Sequence, residues 1–172
     1  MIVGIICQHR SGHSAYEQFI SEKENLKLCK EVNINVKDHT NYFENLPEDA
    51  IFSVMPFNNL HGYVKKHQKI NWQILLRRDV FIQCLSFVYT NKTQIFRDDQ
   101  NKIVDVDVGL VEYFFQNWQL INEIKETNKY PVYYYEDLRM PNDKFFKNNN
   151  DYSKLIKNID AVRSKIQEFT DA

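Results

Sequence analysis

The sequence predicts an α/β protein whose strands form a central parallel sheet with helices laid against it. Two observations carry this. Short runs of β-branched and apolar residues at 2–7, 50–55, 72–76 and 132–135 alternate with stretches in which apolar residues recur every three or four positions. The first run is cut off by the polar turn Gln8 to Ser14, and a helix-compatible stretch begins at Ala15. Strand, turn and helix start in that order are the repeating unit of such sheets, which take their ligands beyond the carboxyl ends of the strands.

Each element follows from its pattern. Tyr16, Phe19 and Ile20 recur at helical spacing up to about Glu22, giving a first helix that packs one face on the sheet. Leu26 to Val36 alternates loosely and suggests a short strand or extended segment containing Glu31, whereas His39 to Asp49 is polar and reads as irregular. Ala50 to Met55 is a strand stopped by Pro56, and Leu60, Tyr63 and Val64 mark a short helix within Asn58 to His67. Trp72 to Leu76 is the next strand, closed by Arg77-Arg78-Asp79; Val80 to Tyr89 is apolar nearly all round, as in a buried helix. Thr90 to Asp105 reads as a charged surface excursion. Val111, Phe114, Phe115, Trp118, Ile121 and Ile124 define the longest helix, Val108 to Ile124. Val132 to Tyr135 is the last strand. After the asparagine cluster Asn148 to Asn150, the series Leu155, Ile159, Val162, Ile166 and Phe169 marks a C-terminal helix.

At 172 residues the chain fits one domain large enough to bury a core. Its net charge of −1 argues against general nucleic-acid binding, which rests on an excess of Lys and Arg, so any basic site must be local. Three cysteines, Cys7, Cys29 and Cys84, stand at no metal-ligand spacing, and the simplest reading is a reduced, intracellular chain. Arg10 interrupts the only apolar start and no apolar stretch reaches membrane-spanning length, so the expected location is cytoplasmic, with no membrane partner.

Two polar clusters fall where this fold puts a site. At the first, Arg10 supplies a cation, Ser11 and Ser14 supply hydroxyls, and Gly12 lets the backbone close around an anion at a helix start, where N–H groups lack partners. It is no Walker A loop, since the Gly-x4-Gly-Lys spacing is absent; nor is it a phosphatase loop, since Cys7 stands only three residues before Arg10. The second cluster is Arg77-Arg78 at a strand end, with Ser86 eight residues beyond Arg78. An arginine and a serine two helical turns on can meet one phosphate from two sides. Two anion subsites suggest a ligand with two phosphate-like groups.

In these blocks the sequence resembles the sulfotransferases that use 3′-phosphoadenosine 5′-phosphosulfate, most closely the small bacterial and phage-type members related to the trehalose and nodulation-factor enzymes. Members open with a strand and a loop of the type [Arg/Lys]-Ser-Gly-[Ser/Thr]-[Ser/Thr], matched by Arg10-Ser11-Gly12-His13-Ser14; they continue with a strand-end Arg and a Ser eight residues later, matched by Arg78 and Ser86; and a strand runs into Tyr-Glu-Asp-Leu, matched by Tyr135 to Leu138. The resemblance covers residues 1–138 and leaves 139–172 as a polar linker and C-terminal helix of the same single domain, 1–172. It implies a P-loop-like three-layer α/β/α fold with a central parallel sheet. It implies further that Arg10, Ser11, Gly12, His13 and Ser14 hold the 5′-phosphosulfate and that Arg78 and Ser86 hold the 3′-phosphate of this co-substrate. The implied reaction is transfer of a sulfuryl group to a hydroxyl of a small molecule or glycan, with Arg10 stabilising charge on the leaving phosphate.

Departures from the family pattern bear on the chemistry. His13 replaces a small hydroxyl residue, and either donates to the sulfate or packs at the helix start. The animal and plant enzymes carry a catalytic histidine before Leu-Pro on the middle strand, where this chain has Ser53-Val54-Met55-Pro56. The bacterial relatives place a glutamate shortly after the first helix, which makes Glu31 the expected base. The Gly-rich C-terminal segment of the animal enzymes is missing, so acceptor contacts must come from elsewhere, a second copy of the chain among the sources. Glu136 and Asp137 read as loop braces. His9, His13 and Cys7 have no zinc spacing, so no metal is expected. Two rivals stand beside the enzyme: a non-catalytic nucleotide-binding or interaction protein that kept the fold, and a P-loop kinase, which lacks its Walker A lysine.

Overall fold

Five parallel strands make one sheet in the computed structural model of the chain, which describes residues 1–94, 102–138 and 151–171. The strands are β1 (Ile2–Cys7), β2 (Lys27–Leu28), β3 (Ala50–Val54), β4 (Asn71–Leu76) and β5 (Val132–Tyr134). They lie side by side in the order β2-β3-β1-β4-β5. Strand β1 is central, with Ile5 opposite Ser53 on one side and opposite Gln73 on the other. The described residues fall into two compact units: 1–78 with 117–138, and 79–94 with 102–116 and 151–171.

The first unit holds the whole sheet, and alternation sorts its side chains onto two faces. Val3, Ile5, Cys7, Ile51, Met55 and Leu75 bury one face together with Tyr16 of helix α1 (His13–Glu24), with Phe19 and Ile20 packed alongside. Ile6, Phe52, Val54, Trp72, Ile74 and Leu76 bury the other. That face is covered by α2 (His39–Glu44) through Phe43, by α3 (Leu60–Lys66) through Leu60 and Val64, and by Ile121 and Ile124 near the end of α5 (Gly109–Lys125). A parallel sheet needs cover on both faces, and the near-continuous burial of β1 and β3 reflects it. Each fully buried large apolar side chain contributes about 1.5–3 kcal/mol.

The second unit contains α4 (Val80–Thr93), the first part of α5, α6 (Tyr152–Leu155) and α7 (Ile159–Thr170). Phe115 stacks on Phe169 with ring centroids 5.1 Å apart, and Phe87 packs on Phe114. Asn158 ties the approach to α5 in place, its amide accepting from the Val106 N–H at 2.9 Å and donating to the Val106 carbonyl at 2.8 Å.

Within Leu26 to Val36 the short strand is β2, which stops at Leu28; Glu31 lies beyond it, next to Val32, which forms an isolated bridge to Val54. Two expectations need correction. His39 to Asp49 is not irregular throughout, because Asp38 caps α2 by accepting from the Asn41 N–H at 2.9 Å while Phe43 anchors the helix in the core. Helix α4 runs on to Thr93, into the stretch expected to be surface. The asparagine cluster at 148–150 lies outside the described residues.

Candidate active site

Strands β1 and β4 are neighbours whose onward connections diverge, β1 leading towards β2 and β4 towards β5 at the opposite edge. In sheets of this kind ligands bind beyond the carboxyl ends of the strands at such a switch point, and both arginine clusters follow those ends, Arg10 after β1 and Arg77-Arg78 after β4.

The first cluster is a strained turn. The Ser11 N–H donates to the Gln8 carbonyl at 3.2 Å, and Arg10, inside the turn, holds φ at 62°, a left-handed conformation that costs a non-glycine residue of order 1 kcal/mol. Gly12 follows at φ 84° as the residue before α1, and no side chain caps that helix. The positive end of the helix dipole points into this turn. The Ser11 hydroxyl is fully buried and has no hydrogen-bond partner. Of the two serines expected to face an anion, only Ser14 is exposed.

The second cluster is tied to the first. Arg77 donates from Nη1 to the Arg10 carbonyl at 3.5 Å and from Nε to Glu136 at 2.5 Å, and its guanidinium lies 5.3 Å from the centre of the Tyr135 ring. That ring occupies the space a Cβ on Gly12 would need. Arg78 forms a two-pronged pair with Asp137, Nε to Oδ1 at 3.1 Å and Nη2 to Oδ2 at 2.5 Å, and lies 4.7 Å from the centre of the Tyr134 ring. Glu136 also accepts from the Arg78 backbone N–H at 3.1 Å. The exits of β1, β4 and β5 are thus laced together, with Glu136 as the brace its position suggests. Ser86 belongs to the second unit, on the buried stretch of α4.

A third group forms at the exit of β3. The Val32 N–H donates to the Ser53 carbonyl and the Met55 N–H to the Val32 carbonyl, both at 2.8 Å, which pins Glu31 beside the end of β3. Glu31 is thereby brought to His13, whose Nε2 lies 3.2 Å from a carboxylate oxygen; Asn33 donates to the other oxygen at 3.1 Å. The His13 hydrogen bond, helped by Asn33, holds the Glu31 carboxyl below its ordinary range against the opposing effect of burial. His13 Nδ1 is buried without a hydrogen-bond partner.

Glu17, one turn along α1 from His13, behaves in the opposite way: burial raises its carboxyl, only partly offset by His13 and Ser53. The Ser53 hydroxyl approaches that carboxylate without reaching hydrogen-bond geometry. Burial likewise lowers the His9 imidazole and pushes the Cys7 thiol well up, leaving Cys7 a poor nucleophile. Arg77 and Glu17 carry no motif. Their only sequence signals are the doubled arginine after β4 and a spacing of four residues from His13. Among the described residues no three His, Cys, Asp or Glu side chains are grouped to hold a metal ion.

Comparison with known protein families, characterised proteins and solved structures finds no match to this chain.

Proposed function

We propose that the chain is a sulfotransferase of the P-loop-like α/β/α type, moving a sulfuryl group from 3′-phosphoadenosine 5′-phosphosulfate to a hydroxyl of a small molecule or glycan. One observation carries this reading: two arginine-bearing loops stand side by side at the carboxyl ends of β1 and β4, joined by Arg77. An uncapped helix start at one loop and a planar guanidinium fork at the other suit a ligand with two separated anionic groups.

Arg10 and the backbone from Ser11 to Ser14 would hold the 5′-phosphosulfate, and Arg78 the 3′-phosphate. Ser86 enters this reading from its spacing to Arg78 alone. In the reaction the acceptor oxygen attacks sulfur, the bond from sulfur to the bridging oxygen breaks, and its electron pair leaves with the 5′-phosphate, whose growing charge Arg10 offsets. The acceptor proton passes to a carboxylate. Glu31 is the base of this reading, held by His13 and Asn33 in its ionised form.

The geometry also supports a second reading, a nucleotide-binding protein without turnover. Both Glu31 oxygens are engaged, and a carboxyl held below its ordinary range is a weaker base. Titration with 3′-phosphoadenosine 5′-phosphate tests the donor site. Native protein should bind and Arg78→Ala should lose at least tenfold in affinity; no binding, or equal binding by the variant, would sink the assignment. Labelled donor with a panel of hydroxyl acceptors separates the two readings: transfer abolished in Glu31→Gln supports the enzyme, and tight donor binding without transfer to any acceptor supports the binding protein.

A further inference from the structure

The two acidic residues after β5 do different things. Glu136 accepts from the Arg78 backbone N–H and from the Arg77 side chain, which fixes the chain path at the end of β4. Asp137 accepts from the Arg78 guanidinium at both carboxylate oxygens and so fills two prongs of the fork. A carboxylate on those prongs takes the N–H directions that a phosphate oxygen pair would use. The pair is open to water, with the Arg78 side chain 59% and the Asp137 side chain 52% exposed, so it is of the weak and exchangeable kind. The Tyr134 ring under the guanidinium and the Glu136 brace on the backbone remain if Asp137 lets go.

We propose that Asp137 is the resident anion of the Arg78 fork, a specificity-determining residue that holds the guanidinium near the Tyr134 ring and is displaced when a phosphate group arrives. The proposal rests on the reading of Arg78 as the ligand of the donor's 3′-phosphate. Anion exchange, in place of simple capture, weakens the bound state and speeds release of a doubly phosphorylated product. A merely bracing Asp137 predicts the opposite sign on its removal, because a loosened fork binds phosphate less well.

Calorimetry on the full chain distinguishes them, using 3′-phosphoadenosine 5′-phosphate and adenosine 5′-phosphate as probes with native protein, Asp137→Asn and Asp137→Ser. Thermal unfolding of each variant checks that it is folded. Displacement predicts that both variants bind the doubly phosphorylated probe ~3- to 10-fold tighter than native while affinity for the singly phosphorylated one stays constant. Unchanged or weaker binding of the first probe by folded variants, with native protein still binding it, overturns the role of Asp137 and leaves the donor site standing. Native protein that fails to bind the first probe, or binds both probes equally, overturns the 3′-phosphate reading and the exchange with it.

Discussion

Gly12 meets two demands at once, a left-handed backbone and the Tyr135 ring against its face. Replacing it with Ala adds the steric cost of positive φ to an overpacking clash, together about 2–5 kcal/mol, which chemical denaturation would register as a lowered midpoint. The loss should shrink when Tyr135→Leu is combined with it. Glu31 and Glu17 give predictions of opposite sign. The folded-state pKa of Glu31 is depressed, so its stabilisation is present above the ordinary carboxyl range and is lost as pH falls through the lower folded value. Glu31→Gln should therefore lower the urea midpoint at pH 7 and flatten its fall under acid. For Glu17 the folded-state pKa is raised, so stability declines as pH rises through the window between the ordinary and the raised value. Glu17→Gln should raise the midpoint at pH 7, and a lowered midpoint would contradict the burial argument.

Among the elements, helix starts set much of the local order. Asp79 accepts from the Ile82 N–H at 2.8 Å and caps α4; Asp79→Ala should cost about 0.5–2 kcal/mol in thermal or chemical unfolding. The strands were legible because β1, β3 and β4 are short apolar runs bounded by polar turns, and α1, α3, α4 and α5 because their apolar spacing is helical. Helix α2 is not legible because Phe43 is its one buried residue and sets no spacing, and the capping Asp38 looks like any loop aspartate. In the site, Arg10 to Ser14 and Arg77-Arg78 were visible at the ends of apolar runs. The pairing of His13 with Glu31 was not, because it depends on Val32 meeting the end of β3, a contact between residues 22 positions apart. The bridge from Arg77 to Arg10 spans 67 positions and was hidden for the same reason.

At the scale of the molecule, a net charge of −1 contrasts with the three arginines gathered at the β1 and β4 exits. Attraction of an anionic ligand is consequently local and screened, and affinity for 3′-phosphoadenosine 5′-phosphate should fall several-fold as ionic strength rises from about 0.05 to 0.5 M, where the Debye length shortens from more than 10 Å to a few ångströms. Binding indifferent to salt would speak against arginine-phosphate contacts. Among the described residues no helix is long and apolar enough to cross a membrane. The outermost strands bear on how the molecule behaves in a crowd. β2 has two residues and β5 three, so each rim offers only a brief ladder of unpaired backbone groups. Lys27 on β2 adds a charge that a second sheet would have to bury, which makes stacking of copies rim to rim unfavourable. These features oppose templated fibre growth, and Lys27→Val should raise the rate of thioflavin-positive aggregation above that of the native chain.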